Sequence, residues 1–297
     1  MPSRALFLLS QALCRARTVF ARHIRAEPDP GVRAACIDVL TRVTLPACRV
    51  VALYSSKFYR GGVAVIESPQ RRAMVLFGTS SDDGAGIFTE TEMWTQPSAG
   101  VTQLPAIYAQ SILDAVRNSR AGSSPRPRVL MLGLGGGAIL TAIRDENMNA
   151  RCTVVERDEA VVGAAVDHFG LEPGRRMVVC IDDALAFVLR TARQGCKFDV
   201  IIVDLFTQGA QPAFMMSDGF LRALRTLLAN GFLVVNGVCQ ALSEKLHQTF
   251  VADSCLCRSF RTEIPGGGHG ACSESPRLAF VDFCMSPSTD ETEIAGS

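Results

Sequence analysis

The stretch Pro127-Arg-Val-Leu-Met-Leu-Gly-Leu-Gly-Gly-Gly-Ala138 decides the fold of this chain. Residues 129–132 form an unbroken apolar run, which is typical of a strand buried on both faces of a parallel sheet. The run ends in glycines, which let the backbone turn sharply and let a ligand lie against bare amides. Residues 138–147 predict a helix whose free N–H groups point back at that ligand. The candidate binding glycines are Gly133, Gly135, Gly136 and Gly137.

A carboxylate follows the next apolar run at the spacing that a nucleotide site requires. Residues 153–155 are apolar or β-branched and end in Glu156, twenty-three residues after Gly133. A carboxylate in this position can accept hydrogen bonds from a ribose diol. The loop also satisfies the dinucleotide fingerprint, so by itself it leaves open both NAD and S-adenosylmethionine (SAM).

Composition excludes several classes of function. Net charge is +1, and residues 1–26 contain five arginines and no acid, so the rest of the chain is net acidic and we expect no nucleic-acid partner. The eleven cysteines form no CxxC pair, which predicts reduced thiols and no metal site. Apolar runs are too short to span a bilayer, so we expect no membrane partner.

The N-terminal segment, residues 1–26, reads as a targeting segment. Wound as a helix, it separates leucines from arginines, which is the pattern of a mitochondrial presequence. We therefore expect a mitochondrial protein. The alternatives are a cytoplasmic protein and an ordinary basic surface helix.

The remainder predicts an α/β fold with a small β module in front. Strands are expected at residues 50–54, 62–67 and 72–77, with a polar loop at 80–86, inside a β module spanning 49–103. Helices and strands then alternate through a domain spanning 104–285, and residues 286–297 are expected to be a disordered tail. The later predicted strands are 177–181, 198–203 and 232–236, and Asn230-Gly231 is expected to interrupt the chain before the last of them. An antiparallel pair of strands is expected at 257–264 and 278–283. Five βα units closed by such a pair form the Rossmann-like seven-stranded sheet of methyltransferases, whereas a dinucleotide domain usually leads on to a further domain.

As a set, the motifs resemble the spermidine-synthase-like branch of the class I SAM-dependent methyltransferase superfamily. They are Leu132-Gly-Leu-Gly-Gly-Gly-Ala, Val155-Glu-Arg-Asp, Ile181-Asp-Asp-Ala and Phe198-Asp-Val-Ile-Ile-Val-Asp. The branch contains aminopropyltransferases, which use decarboxylated SAM, and protein methyltransferases. The resemblance implies SAM as cofactor, an amine-bearing acceptor (a protein or a small molecule) and a homodimer.

The resemblance also implies roles for individual side chains. Glu156 would hold the ribose hydroxyls, and Asp183 would accept from the adenine amino group with Ala184 beside it. Asp204, at the carboxyl end of the fourth strand, stands where the family has its catalytic carboxylate. This end of the sheet faces ligands in open α/β folds regardless of family. Asp182 and Asp183 are also candidates for capping the next helix.

Three departures from the synthases favour methyl transfer. The acid that contacts the cationic end of decarboxylated SAM is replaced by Gly136, whose bare amide suits the SAM carboxylate. The acid three residues beyond the catalytic one is replaced by Thr207, and the Tyr-His-Glu segment of the amine pocket has no counterpart at residues 92–96. We therefore expect a SAM-dependent methyltransferase acting on an amine. Aminopropyl transfer and an inactive regulatory or scaffold protein are the alternatives.

Overall fold

The computed structural model describes residues 48–59, 62–80, 84–95, 104, 106–119, 122, 124–206, 211–237, 240–251, 256–263 and 278–285. The expected targeting segment, the tail and Thr207 lie outside these residues. Within them, no helix is long and apolar enough to cross a membrane.

The first part of the described chain is a four-stranded antiparallel sheet. Its strands are β1 (Arg49–Tyr54), β2 (Gly62–Glu67), β3 (Arg71–Ser80) and β4 (Gly84–Trp94), paired in that order. The predicted loop at residues 80–86 is wrong at both of its ends, because Ser80 belongs to β3 and residues 84–86 belong to β4, which pairs along the whole of β3. Residues 81–83 lie outside the described residues. The prediction failed because Gly84 and Gly86, at the start of β4, favour a loop, although β-branched and aromatic residues typical of a strand follow from Ile87.

The second part is a seven-stranded sheet with helices on both faces. Its elements in chain order are α1 (Ile107–Arg117), β5 (Arg128–Leu132), α2 (Ala138–Glu146), β6 (Arg151–Glu156), α3 (Glu159–His168), β7 (Met177–Ile181), α4 (Ala184–Arg193), β8 (Phe198–Val203), α5 (Asp218–Leu227), β9 (Leu228–Gly237), α6 (Gln240–Val251), β10 (Leu256–Glu263) and β11 (Leu278–Met285). The strand order is β10-β11-β9-β8-β5-β6-β7, with β11 antiparallel to both of its neighbours and the pairs among β5 to β9 parallel. This confirms the predicted fold class, a Rossmann-like methyltransferase sheet behind a small β sheet.

The expected break at Asn230-Gly231 is a bulge inside β9. The strand starts directly after α5, at Leu228, and its register against β8 shifts between Phe198 and Val200. A Cβ on Gly231 would lie 2.2 Å from the carbonyl oxygen of Asp199, so only glycine fits where the two backbones approach.

Alternate residues of the central strands pack into two different apolar layers. Val129 and Met131 of β5 join the core shared with α1, α2, α3 and the small sheet, whereas Leu130 and Leu132 join the core shared with α4, α5 and α6. Burial of both faces explains the unbroken apolar runs. The small sheet packs on α3, on the side of the first core, and Thr91 of β4 contacts the glycine loop that follows β5.

Candidate active site

The carboxyl ends of β5, β6, β7 and β8 surround a cavity of about 340 Å³. Most of the predicted site residues line it: Gly133, Gly135, Glu156, Asp183, Ala184 and Asp204. Because these side chains follow parallel strands, they meet at one edge of the sheet. The structure thus brings together three carboxylates and part of the glycine loop.

Gly133 makes the turn out of β5 possible. Its φ is +88°, and a Cβ there would lie 2.1 Å from the carbonyl oxygen of Asp204. The Gly133 N–H donates to the Val155 carbonyl at 2.9 Å, and the Asp204 N–H donates to the Leu132 carbonyl at 2.9 Å. The glycine therefore lets the loop lie directly against the end of β8, beside the candidate catalytic carboxylate.

Gly136 and Gly137 do not line the cavity. The Gly136 N–H donates to Thr91 Oγ1 of β4 at 2.6 Å, so the expectation of a free amide for a ligand carboxylate is not met. A Cβ on Gly136 would lie 2.8 Å from both Phe169 Cδ1 and Thr91 Cγ2. Gly137 caps α2 at φ +73° and packs against Leu171 and Leu134. These two glycines allow close packing between the loop, α3 and β4.

Glu156 is held by two backbone amides. Oε2 accepts from the Leu134 N–H at 3.1 Å, inside the glycine loop, and Oε1 accepts from the Asp158 N–H at 2.9 Å. Burial raises the pKa of Glu156, and these two hydrogen bonds oppose that rise by favouring the carboxylate. The side chain is therefore fixed across the gap between the glycine loop and α3.

The two acids after β7 have separate roles. Asp183 caps α4, with Oδ1 accepting from the Ala186 N–H at 2.9 Å. Asp182 Oδ2 accepts from Arg190 Nη2 at 2.6 Å, and this hydrogen bond lowers the pKa of Asp182. Both acids line the main cavity, but Asp183 caps α4 whereas Asp182 is paired with Arg190.

Burial also affects the titration of Asp204, the carboxylate that follows β8. Burial raises its pKa from 3.8 to about 6, and a hydrogen bond from Asn236 Nδ2 to Oδ1, 2.8 Å long, opposes the rise. Asp204 also lines a second, small cavity of about 30 Å³ that contains Thr91, Glu92 and Tyr108. Among the described residues it is the one carboxylate that lines both cavities.

Two residues that line the cavities were not identified from the sequence. Glu92 lies in the small cavity and pairs with Arg71 at 3.1 Å. A carboxylate is therefore present in residues 92–96, the segment that has no counterpart of the Tyr-His-Glu sequence of the synthases. Tyr59 forms part of the wall of the main cavity. Glu92 belongs to β4 and Tyr59 to the loop between β1 and β2. No local sequence pattern predicts that these two residues lie beside the central sheet.

The wall containing Tyr59 is tied to α3 by a buried carboxylate. Asp158, 2% exposed, caps α3 by accepting a hydrogen bond from the Ala160 N–H. Its Oδ2 accepts from Ser56 Oγ, and Ser56 Oγ in turn accepts from the Tyr59 N–H at 2.8 Å. This chain of contacts links Glu156, α3 and the cavity wall.

The described residues contain no group of three or more histidine, cysteine or acidic side chains that could hold a metal ion. Cys48, Cys152, Cys180 and Cys196 have free thiols, and none of these four residues lines the main cavity. The carboxylates that line the main cavity can accept protons and orient a bound ligand.

Comparisons with known proteins agree with the fold. A polyamine aminopropyltransferase of Vibrio vulnificus is 33% identical over 125 residues, which cover 41% of this chain and 42% of that protein. An eEF1A lysine and N-terminal methyltransferase of Danio rerio is 28% identical over 152 residues, which cover 46% of this chain and 21% of that protein. Each match thus spans less than half of the curated relative. The crystal structure of a probable spermidine synthase from Corynebacterium glutamicum superposes with a TM-score of 0.52 at 17% identity, covering 79% of both chains.

The family model described as the spermine/spermidine synthase domain matches residues 107–259, from α1 into β10. This segment includes the glycine loop, Glu156, Asp183 and Asp204. The chain therefore belongs to the spermine/spermidine synthase domain family.

Proposed function

We propose that this protein is a SAM-dependent methyltransferase that methylates an amine on a protein or a small molecule. The observation that carries the proposal is the position of Asp204 between two cavities. The larger one has the volume of a small-molecule site, about 300 Å³ or more, and the smaller one adjoins it at Asp204. A methyl donor on one side and an amine on the other would meet at this carboxylate.

The residues of the main cavity fit an adenosyl ligand. Gly133 and Gly135 leave backbone exposed at the cavity, Glu156 offers a fixed carboxylate for ribose hydroxyls, and Asp183 has an oxygen beyond the one that caps α4. When bound, SAM supplies an electrophilic methyl group. The relative from Danio rerio, whose name describes a lysine and N-terminal methyltransferase, supports an amine acceptor.

Asp204 would act on the acceptor. An amine is protonated at neutral pH and must lose a proton before its lone pair can attack. A carboxylate with a pKa near 6 is ionised at pH 7 and is a stronger base than an exposed aspartate. We infer that it orients the amine and takes up its proton, while the glycine loop and Glu156 align the donor.

Aminopropyl transfer is the second candidate, because the Vibrio vulnificus relative is named as an aminopropyltransferase. The resemblance places an acid at position 136 in such enzymes. Here Phe169 and Thr91 close the space that a side chain on Gly136 would need. This packing favours methyl transfer over aminopropyl transfer.

Two further properties remain proposals of ours. Residues 1–26 would direct the protein to mitochondria, which imaging of the full chain and of a chain lacking these residues tests. Homodimerisation is tested by light scattering of the purified full-length protein.

The test of the activity has two steps. First, calorimetric titration with SAM and with decarboxylated SAM is expected to show that SAM binds more tightly. Tighter binding of decarboxylated SAM would support aminopropyl transfer. Binding of neither compound would support a scaffold role. Second, labelled methyl transfer into a lysate is compared between wild type, Asp204→Asn and Asp199→Asn. Asp199 lies near the other end of β8, so labelling is expected to be lost in Asp204→Asn and kept in Asp199→Asn. Equal labelling by all three proteins would remove Asp204 from the mechanism.

A further inference from the structure

A buried amide lies at the carboxyl end of β9. Asn236 is 4% exposed and is one of four buried polar or charged residues in the described part of the chain. It follows the apolar residues Phe232–Val235, and asparagine is disfavoured in strands. Burial of an amide costs free energy unless its groups are hydrogen bonded, so this position needs a partner.

The partner is the candidate catalytic carboxylate. Val203 of β8 pairs with Val235 of β9, so Asp204 and Asn236 are the next residues along two adjacent parallel strands. Asn236 Nδ2 donates to Asp204 Oδ1 at 2.8 Å. No described residue donates to Oδ2 of Asp204, which leaves that oxygen for a ligand.

The backbone of Asn236 holds another part of the site. Gln211 Nε2 donates to its carbonyl oxygen at 3.0 Å. Pro212 and Phe214, which follow Gln211, line the main cavity. Asn236 is thus connected to the carboxylate through its side chain and to the cavity wall through its backbone.

We propose that Asn236 is the positioning residue of Asp204: its amide occupies Oδ1 and holds the carboxylate so that Oδ2 is presented to the acceptor amine. This inference rests on the proposed function for the identity of the acceptor. The hydrogen bond itself is independent of any ligand.

The surroundings predict how Asp204 titrates when this amide is removed. The charged side chains that share its two cavities are Glu156 and Arg157 after β6, Asp182 and Asp183 after β7, and Glu92 of β4. Asp182 and Glu92 are paired with Arg190 and Arg71, respectively. Burial raises the pKa of Asp204, and the hydrogen bond from the Asn236 amide opposes this rise. Loss of the amide therefore raises the pKa further.

The experiment titrates Asp204 in the free protein. Carbon-13 NMR of aspartate-labelled protein follows the carboxyl signal, assigned by its absence in Asp204→Asn. We expect Asn236→Leu, which has a similar volume and no donor, to raise the midpoint by about one pH unit, a tenfold change in proton affinity. Gln211→Leu is the matched control, because it removes the neighbouring hydrogen bond and keeps the Asn236 amide, so its midpoint should stay that of wild type.

A second variant covers the case in which Asn236→Leu does not fold. Asn236→Asp is close to isosteric, and two carboxyl groups at this distance share one proton, so one of them is expected to remain protonated above pH 7. Wild-type titration of Asp204 in the folded variants would overturn the role of Asn236, even if methyl transfer is detected. A shifted midpoint in a protein that does not bind SAM would support the hydrogen bond's role and refute the proposed function alone. In the active enzyme, the acid limb of the kcat profile should move up by the same amount, with KM for SAM changed less than about twofold.

Discussion

Replacement of Asp204 by asparagine is expected to stabilise the protein at neutral pH while it abolishes the proposed methyl transfer. Burial raises the pKa of Asp204 from 3.8 to about 6. Each pKa unit corresponds to about 1.4 kcal/mol, so at pH 7.5 the ionised side chain lowers the free energy of unfolding by about 3 kcal/mol. Asparagine has the same shape, carries no charge and keeps an oxygen that can accept from Asn236, so it avoids this cost.

The sign of the effect defines its pH dependence. The native state binds the Asp204 proton more tightly than the unfolded state, so the contribution of this group is most favourable below pH 4 and is lost as pH rises through 6. The advantage of Asp204→Asn should therefore grow from about 1.5 kcal/mol at pH 5 to about 3 kcal/mol at pH 7.5. Urea unfolding followed by circular dichroism at both pH values measures it. Equal stability at pH 7.5, or a gain that does not change with pH, would refute the reasoning.

Asp199→Asn is the matched control. Burial raises the pKa of Asp199, but hydrogen bonds from the side chain and N–H of Arg128 outweigh it, so the pKa lies below its ordinary value. This group stabilises the folded state above the unfolded pKa, and its contribution is lost as pH falls. We therefore expect Asp199→Asn to destabilise the protein at pH 7.5 and to approach wild type in acid, the opposite trend from the same strand.

Three more substitutions test the geometry of the site. Gly133→Ala should lower the free energy of unfolding in urea by about 3 kcal/mol or more, because the new Cβ would lie 2.1 Å from the Asp204 carbonyl oxygen. Gly170→Ala, at φ +71° with nothing within 4 Å of the new Cβ, should lower it by about 1 kcal/mol. Equal losses would contradict the steric argument. Glu156→Gln should weaken SAM binding about tenfold in calorimetry. The carboxylate accepts one backbone N–H on each oxygen, from Leu134 and Asp158, whereas a glutamine amide has one oxygen that can accept and one nitrogen that cannot. A change below twofold would argue against Glu156 as a ligand. Asp158→Ala should lower the free energy of unfolding in urea by about 2 kcal/mol, because it removes the cap of α3 and the hydrogen bond from Ser56. A loss below about 0.5 kcal/mol would show that these two interactions do not stabilise the fold.

Local patterns predicted most of the central sheet but missed the start of β9, which includes the bulge at Gly231. The buried strands follow from hydrophobic runs, and the structure confirms them together with the cap at Asp183. The position of Glu156 at the end of β6 follows in the same way, because the end of an apolar run marks the edge of a parallel sheet.

Contacts between distant segments were not accessible from such patterns. The bond from Gly136 to Thr91 joins residues 45 positions apart, and the bond from Asn236 to Asp204 joins residues 32 positions apart. Both depend on which elements become neighbours in space. A pattern that extends over one strand or one helix carries no information about that choice.

The sequence by itself determined the alternation of strands and helices, the glycine turn after β5 and the acids at successive strand ends, because these depend on side-chain periodicity and backbone conformation within a few residues. The tertiary structure decided which glycines face the cavity, which acid after β7 is already paired, and how strongly Asp204 holds its proton. Those properties arise from burial and from partners on other elements, since desolvation and hydrogen bonding act across space and not along the chain.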